Sequence, residues 1–517
     1  MNSYKSALKK GLPKITSSIC PFCKEIISAE IFERDGSVWI KKECPKHGLS
    51  EDIYWSDVEM YLKAETFAYD GHGVDNPNIS DAKTCPTDCG LCDLHLSHTA
   101  LANVDLTNRC NLQCPICFAN ANVAGYVYEP SYDEVVSMLE ALRANEPVPT
   151  VAVQFSGGEP TIYPRFLDVV KKASELGFSQ VQVATNGIKI AKDPEFVQKM
   201  IDCGMHTLYL QFDGLREENY IEVRGRPLLD IKKKVIENCR NTKRKPLATV
   251  LVPTIINGIN DDQVGEILKF AIENIDVVRG VNYQPVSFTG RISQEDRLKE
   301  RFTLPDLADR LVKQTDYFEK DDFYPVPCVA PISDLAYLID GKPKPTFSAH
   351  PHCGIASYLF IEDSKVIPIT RFIDVSGFLC DASDIVEDVK ESKISKSKIP
   401  GALVKLLKKY FDKEKAPKGM DPFKFISSLF LSDGKSGLSD IHWNMMLVSA
   451  MHFQDSFNYD IERVKRCLIH YATPDPKRRI VPFCAYNSGP VFREEIERKY
   501  GVPLDEWKKR NKGVDDI

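Results

Sequence analysis

Three cysteines, Cys110, Cys114 and Cys117, stand three and then two residues apart in the stretch NRCNLQCPICF, which holds no fourth. A four-iron four-sulfur (4Fe–4S) cluster normally takes four thiolates, so a loop offering three leaves one iron open to an outside ligand. A zinc loop is the other chemistry that this spacing serves. The spacing recurs in CPTDCGLC, with Cys85, Cys89 and Cys92. An auxiliary iron–sulfur cluster is expected there, its fourth ligand being His95, His98 or a substrate atom; a zinc knuckle is the alternative. CPFC and CPKHG place Cys20, Cys23, Cys44 and His47 in two knuckles about twenty residues apart, the pattern of one tetrahedral ion, zinc or a rubredoxin-like iron. Folding a small module is its expected role, ahead of electron transfer. With Cys85 in place of His47 the set becomes four thiolates, which favours iron. Cys328, Cys353, Cys467 and Cys484 sit in loops flanked by Pro, Gly or His and are expected to form a second auxiliary cluster. Cys203 and Cys239 fall in predicted helices and read as core, while Cys380 fits either use.

Of sixteen cysteines, those clustered at two- and three-residue spacings read as metal ligands in a reducing cytosol rather than as disulfides. The N-terminal stretch MNSYKSALKKGLPKITSSIC is basic but has no apolar core, and no run approaches the ~20 apolar residues of a membrane span, so a cytoplasmic protein is expected. A net charge of −6 offers no reason to expect nucleic acid as the main partner.

The elements that position these loops follow from hydrophobic periodicity. At 517 residues the chain exceeds one ordinary core. Residues 1–100 are turn-rich and cysteine-rich, a metal-binding module. Residues 101–300 alternate strand-like runs (NVDLT, TVAVQFS, QVQVATNG, HTLYLQFDG, ATVLVPT, RGVNYQPV) with amphipathic helices, the first opening on a Ser131/Glu134 capping box. Further helices are predicted near 164–176, 193–203, 229–241 and 261–273. Repeated strand-helix units imply a parallel sheet, an open partial barrel or a doubly wound sheet, with the active site at the strand C-terminal ends. Residues 301–517 are expected to hold the auxiliary cluster and a substrate tunnel.

With the cysteine loop directly after the first strand, the chain resembles the radical S-adenosylmethionine (SAM) superfamily, whose motif is matched by Cys110, Cys114 and Cys117 followed by Phe118. The resemblance implies an α/β fold built on a partial (β/α)6 TIM barrel, a 4Fe–4S cluster whose open iron binds SAM, and reductive cleavage to a 5′-deoxyadenosyl radical. The electrons are expected from a reductant such as ferredoxin or flavodoxin. It carries over SAM contacts to Gly157, Gly158 and Glu159 after the second strand, Thr185 and Asn186 after the third, and Gln211 and Asp213 after the fourth. The overall texture further resembles the archaeal tetraether lipid synthases, which join terminal methyl carbons of isoprenoid chains on diether lipids. That likeness implies an archaeal diether lipid substrate, two SAM molecules per bond and an auxiliary cluster that traps the first carbon radical. GALVKLLKKYF at 401–411 then reads as an interfacial helix in peripheral contact with the inner membrane surface, or as a surface helix packed on its own domain. FISSLFL and WNMMLVSAM read as tunnel lining or as core, and Lys477, Arg478 and Arg479 as a phosphate clamp or a solvated turn. Two other functions fit: a radical SAM methyltransferase or C–H functionaliser acting on a pterin-like small molecule, and a multi-metal protein without SAM chemistry.

Overall fold

Alternation of buried and exposed side chains along residues 14–55 makes four antiparallel strands in sequential order: β1 (Lys14–Ile19), β2 (Ile26–Arg34), β3 (Ser37–Cys44) and β4 (Gly48–Trp55). The computed structural model describes residues 4–117, 119–290, 292–293, 295–362, 365–420, 445–490 and 492–511. Phe118, FISSLFL and the first two residues of WNMMLVSAM lie outside them. In β3 the period of two turns Val38, Ile40, Lys42 and Cys44 inward. Burial lowers the Lys42 ammonium there to about 7, and its Nζ donates to the carbonyl oxygens of Ile19 (3.3 Å) and Ser456 (2.7 Å). Helix α1 (Val58–Thr66), capped by Asp57, follows.

All six strands expected from the sequence form: β5 (Leu101–Thr107), β6 (Ala152–Gly157), β7 (Gln180–Thr185), β8 (Thr207–Gln211), β9 (Ala248–Val252) and β10 (Val278–Pro285). They pair in parallel, each with its predecessor. Helices α2 (Tyr132–Arg143), α3 (Phe166–Glu175), α4 (Pro194–Asp202), α5 (Glu217–Arg224), α6 (Leu229–Arg240) and α7 (Val264–Glu273) lie between them. Helix α2 carries the predicted capping box and buries Val135, Met138, Leu139 and Leu142 as one stripe.

The last third of the chain then returns to this sheet on both sides. After α8 (Ala330–Asp340) come β11 (Gly354–Glu362), α9 (Val375–Lys390), α10 (Ile399–Tyr410), β12 (Met445–Met451), β13 (Ile469–Ala472) and β14 (Ile480–Pro482). Strand β12 adds in parallel to β10, with Val448 opposite Val281, and β13 adds in parallel to β5, with His470 opposite Ala102. The parallel run is therefore two strands longer than the six predicted, and antiparallel β11 and β14 flank it. Side chains from β12 at one end and β13 at the other line a common cavity, so the sheet curls into an open barrel.

Two polar devices dock the N-terminal sheet on this barrel. Arg301, wholly buried, bridges Asp52 of β4 (2.8 Å) and Asp455 (2.6 Å), and Arg297 adds a bond to Asp52 (2.6 Å). Asp460 accepts from Thr16 (2.8 Å) and Tyr54 (3.0 Å). The helix at 399–410 corrects the interfacial expectation: Ile399, Leu403, Leu406 and Leu407 of α10 are buried in a second core with α8 and α9, and Lys409 pairs with Asp381. Its apolar stripe already has a protein partner. Among the described residues no helix is long and apolar enough to cross a membrane.

Arg301→Met leaves Asp455 buried without its cation and Asp52 with Arg297 alone, so we expect a loss of about 3–5 kcal/mol in urea unfolding followed by tryptophan fluorescence; an unchanged midpoint would show that other contacts hold the N-terminal sheet. Burial alone pushes the Asp455 carboxyl up, but the charge and hydrogen bonds of Arg301 hold it down at about 2. A carboxylate lowered on folding contributes stability above its unfolded value, near 4, and loses that contribution as pH falls towards 2. Asp455→Asn should therefore flatten the acid limb of the stability curve measured between pH 6 and 2.

Candidate active site and metal centres

The loop after β5 is held to the end of β6 by backbone alone. Gly158 N donates to the Thr107 carbonyl (2.7 Å) and Glu159 N to the Arg109 carbonyl (2.9 Å). A Cβ at Gly157, where φ is +121°, would meet the Thr107 oxygen at 2.3 Å, and one at Gly158 would meet the Arg109 oxygen at 2.1 Å. Glycine is required at both positions because the neighbour is main chain and cannot rotate away. The far side of the loop is tied by Asn122, whose side chain accepts from Cys110 N (2.9 Å) and donates to the carbonyls of Cys110 (2.6 Å) and Leu112 (3.1 Å).

So held, Cys110, Cys114 and Cys117 all face a cavity of about 550 Å³. Burial, and secondarily the Glu159 carboxylate, push the Cys110 thiol up, so it ionises only when a cation takes it. The buried Arg224 guanidinium stands near Cys114 and donates to the Ile116 carbonyl (3.1 Å). Three thiols, a nearby fixed cation and apolar Leu112 and Ile116 fit an anionic cluster open on its cavity side.

The strand-end residues divide into two groups. Gly157, Gly158, Thr185, Asn186 and Gln211 line the cavity with the cysteines. Asn186 Nδ2 donates to Asn111 Oδ1 (2.7 Å) and lies 3.9 Å from Cys110 Sγ. Glu159 and Asp213 depart from the sequence reading. The Glu159 carboxylate is buried and already accepts from Thr161 N (3.1 Å), Thr185 Oγ1 (2.7 Å) and Asn186 N (2.8 Å), which locks the end of β6 to the end of β7. The Asp213 carboxylate makes a two-pronged pair with Arg224, both arms 2.7 Å, and accepts from Thr254 N. Neither carboxylate lines the cavity. Asp213 instead presents Arg224, a residue that sequence reasoning missed because no local pattern pairs the two. Lys232 was missed as well: burial lowers its ammonium to about 8, and it donates to the Asn186 carbonyl (2.6 Å) and Gln211 Oε1 (3.1 Å).

Deeper in the barrel the strands carry amides where core strands carry aliphatics. Gln182 donates to Gln154 and Gln154 to Asn103, each at 2.8 Å, and Ser449 donates to Asn282 at 3.1 Å. Asn103, Gln154, Tyr209, Asn282 and Ser449 line the cavity, and Asn103 Nδ2 is buried with no partner. The signal was available: polar residues in runs such as ANVDLT and VAVQFS break the apolar strand pattern. Arg493 closes the same wall, held by Asp105 and Glu497 at 2.8 Å each.

In the N-terminal sheet the ligand atoms of Cys20, Cys23, Cys44 and His47 lie within 4.8 Å of one another. Cys23 and Cys44 sulfurs are 3.8 Å apart, and His47 Nδ1 is 3.5 Å from Cys44 and 3.6 Å from Cys20. Ligands about 2.3 Å from one tetrahedral ion stand roughly 3.8 Å from each other, so the set fits a single metal. It contains His47 and not Cys85, which packs instead with Cys89, Cys467 and Cys484 around another apolar cluster. Three thiols and an imidazole suit zinc. Near the Cys85–Cys92 loop, His95 Nε2 is 2.9 Å from the Cys467 carbonyl and 3.2 Å from His470 Nε2, whereas His98 Nε2 is buried without a partner.

The four late cysteines are not one group. Cys353, Cys467 and Cys484 line the cavity, but Cys328 does not. It is buried in the second core, where Tyr4 donates to its carbonyl (2.8 Å). Lys477, Arg478 and Arg479 form a turn in which Arg479 pairs with Asp475 (3.0 Å). Of WNMMLVSAM, Leu447, Ser449 and Met451 line the cavity, and Met446 and Val448 are core.

Gly158→Ala should displace the cysteine loop: we expect loss of its iron and a drop of about 100-fold in 5′-deoxyadenosine formation, the scale set by a ~1 Å misplacement. Gly401→Ala, with nothing within 4 Å of its Cβ position, serves as the control and should leave both readouts unchanged.

Residues 104–271 match the radical SAM superfamily, and residues 12–56 match the HMPTM N-terminal zinc ribbon domain. The 7,8-dihydro-6-hydroxymethylpterin dimethyltransferase of Methanocaldococcus jannaschii is 48% identical over 511 residues, covering 98% of this chain and 99% of the relative. The GTP 3′,8-cyclase of Clostridium acetobutylicum is 22% identical over 42% of this chain and 67% of its own length. Among solved structures, Streptococcus suis SuiB aligns over 43% of this chain and 47% of its own at 19% identity, with a TM-score of 0.34. The expectation of lipid-chain coupling is thereby corrected. A relative that matches over nearly the whole chain is named for a pterin, and the helix that suggested a membrane surface has its apolar stripe packed in the protein's own core. The chain is a radical SAM enzyme with a zinc ribbon, and it belongs, within that superfamily, to the family of the Methanocaldococcus jannaschii 7,8-dihydro-6-hydroxymethylpterin dimethyltransferase.

Proposed function

We propose that this enzyme transfers methyl groups to the ring of a 7,8-dihydro-6-hydroxymethylpterin-type substrate. The observation that carries the reading is the 48% identity with the pterin dimethyltransferase along 98% of the chain. The cavity supports it. Its walls are apolar (Leu112, Ile116, Leu447, Leu468), and its amides at Asn103, Gln154 and Asn282 can pair with the amide-like edge of a flat heteroaromatic ring. An unpartnered buried donor such as Asn103 Nδ2 is costly in an empty lumen and is satisfied by a polar ligand.

When bound, the cluster and SAM would supply a carbon-centred radical that removes one substrate hydrogen as 5′-deoxyadenosine, and a second SAM would replace it by a methyl group as its S–CH3 bond breaks, the reductant giving one electron to each step. The chain's own residues do the rest. Cys110, Cys114 and Cys117 hold the cluster; Gly157 and Gly158 let the backbone approach SAM closely; Thr185, Asn186 and Gln211 face its polar groups. Arg224, fixed by Asp213, places a positive charge beside the cysteine loop. The apolar wall keeps water from the reacting carbon. Electrons come from a ferredoxin or flavodoxin type of reductant.

The test is anaerobic incubation with SAM, a reductant and 7,8-dihydro-6-hydroxymethylpterin, read by mass spectrometry. Methylated pterin together with 5′-deoxyadenosine is expected, and both should vanish in Cys114→Ala. 5′-Deoxyadenosine without methylated pterin, or coupled isoprenoid chains when lipid is offered instead, would overturn the reading. Asn103→Leu removes one hydrogen-bonding group and should raise KM for the pterin about 10-fold, the equivalent of one lost bond, while uncoupled SAM cleavage stays at the parent rate.

A further inference from the structure

We infer that His452 joins Cys353, Cys467 and Cys484 as the fourth ligand of an iron–sulfur cluster set in the cavity wall, with Arg463 as its counter-charge. The assignment is independent of which substrate the enzyme processes.

The first argument is register. Strands β11 and β12 are antiparallel with Gly354 opposite Met451. One step further along the ladder, His452 N donates to the Cys353 carbonyl at 3.0 Å, so Cys353 and His452 stand opposite each other. Residues directly opposite in an antiparallel pair project to the same face, their Cβ atoms about 5 Å apart. Both line the cavity, as do Cys467 and Cys484.

The second argument is an unsatisfied ring. His452 is 1% exposed, and neither Nδ1 nor Nε2 has a hydrogen-bond partner. A buried imidazole with both nitrogens idle has lost its water for nothing, and a metal bond to one nitrogen repairs half of that loss. No equivalent case exists for Cys328, which the second core encloses away from the other three.

The third argument is charge. Arg463 is 2% exposed, its Nε donates to Cys353 Sγ at 3.4 Å, one Nη donates to the His452 carbonyl, and Nη1 is buried with no partner. Among the described residues it makes no ion pair with a carboxylate; the groups that face it are the sulfurs of Cys353 and Cys484 and the Tyr54 hydroxyl. Guanidinium keeps its proton in proteins, so the neighbourhood must supply negative charge. Thiolates held by iron supply it, whereas neutral thiols do not.

A cluster suits this set better than a single ion. Only the ribbon ligands, among the described residues, all come within 4.8 Å of one another. Ligands that each bind a separate iron stand wider apart than ligands that share one ion, and three thiolates with one imidazole complete the four positions of a 4Fe–4S cluster.

The test uses the full chain, purified without oxygen and supplied with iron and sulfide. Cys467→Ser should lower the content by about four irons per chain, whereas Cys328→Ala should retain the parent content. His452→Cys should keep the iron count, lower the reduction potential of one cluster, because imidazole for thiolate raises it, and remove an imidazole nitrogen coupling from the pulsed EPR spectrum of the reduced protein. Parent-level SAM cleavage in the Cys328→Ala protein and an unchanged ribbon zinc content in all variants report that the fold survives. Full iron in Cys467→Ser, loss of a cluster in Cys328→Ala, or a His452→Cys protein whose potential and nitrogen coupling match the parent would each overturn the assignment.

Discussion

Main chain lies directly on main chain where Gly157 and Gly158, at the end of β6, carry the carbonyls of Thr107 and Arg109 at the start of the cysteine loop. No side chain intervenes, so the position of three thiols is set by the spacing of two adjacent parallel strands. Everything that the cavity does depends on this contact. The Glu159 carboxylate extends it sideways by binding Thr185 and Asn186, so that the ends of three consecutive strands behave as one rigid rim. A carboxylate spent in this way cannot also serve as a loose hand for a ligand. Its value is in holding the residues that do face the cavity.

The rest of the cavity is built from parts of the chain that arrive late. Strands β12 and β13 extend the sheet at opposite ends and bring Leu447, Ser449, His452, Cys467 and Ile469 to the lumen opened by β5 to β10. A short parallel run leaves its last strands with unpaired backbone and its lumen open to water; the added strands satisfy the first need and wall the second. The same region receives the ribbon through Arg301, Asp52 and Asp455, a triad buried so fully that no water screens it. Ribbon, barrel and C-terminal strands are consequently coupled through charges that each need a partner from another segment.

Polarity inside the barrel also bears on what it accepts. Gln154, Asn282 and Ser449 are paired within the wall, but Asn103 Nδ2 is not, and a buried amide hydrogen costs free energy unless something pairs with it. Apolar walls with a polar floor suit the flat, pterin-type ligand proposed above. The Lys-rich helix that read as a membrane contact is, by contrast, an ordinary amphipathic helix whose stripe is covered by α8 and α9.

The sequence alone determined what is local. Six strands, five of the intervening helices, the capping box at Ser131 and the grouping of Cys110, Cys114 and Cys117 were all legible, because each rests on spacing within about a dozen residues. The two knuckles were legible as one tetrahedral site from their spacing, but the choice of His47 over Cys85 as the fourth ligand came from the structure. Tertiary structure alone decided the rest. That Cys328 belongs to one core and Cys353 to the cavity, that Asp213 serves Arg224, and that β12 and β13 lengthen the parallel run all depend on which distant segments pack together. A cysteine in a Pro- or Gly-flanked loop looks the same along the chain whichever core it enters. Only burial and register distinguish a thiol that meets its partners from one that meets none.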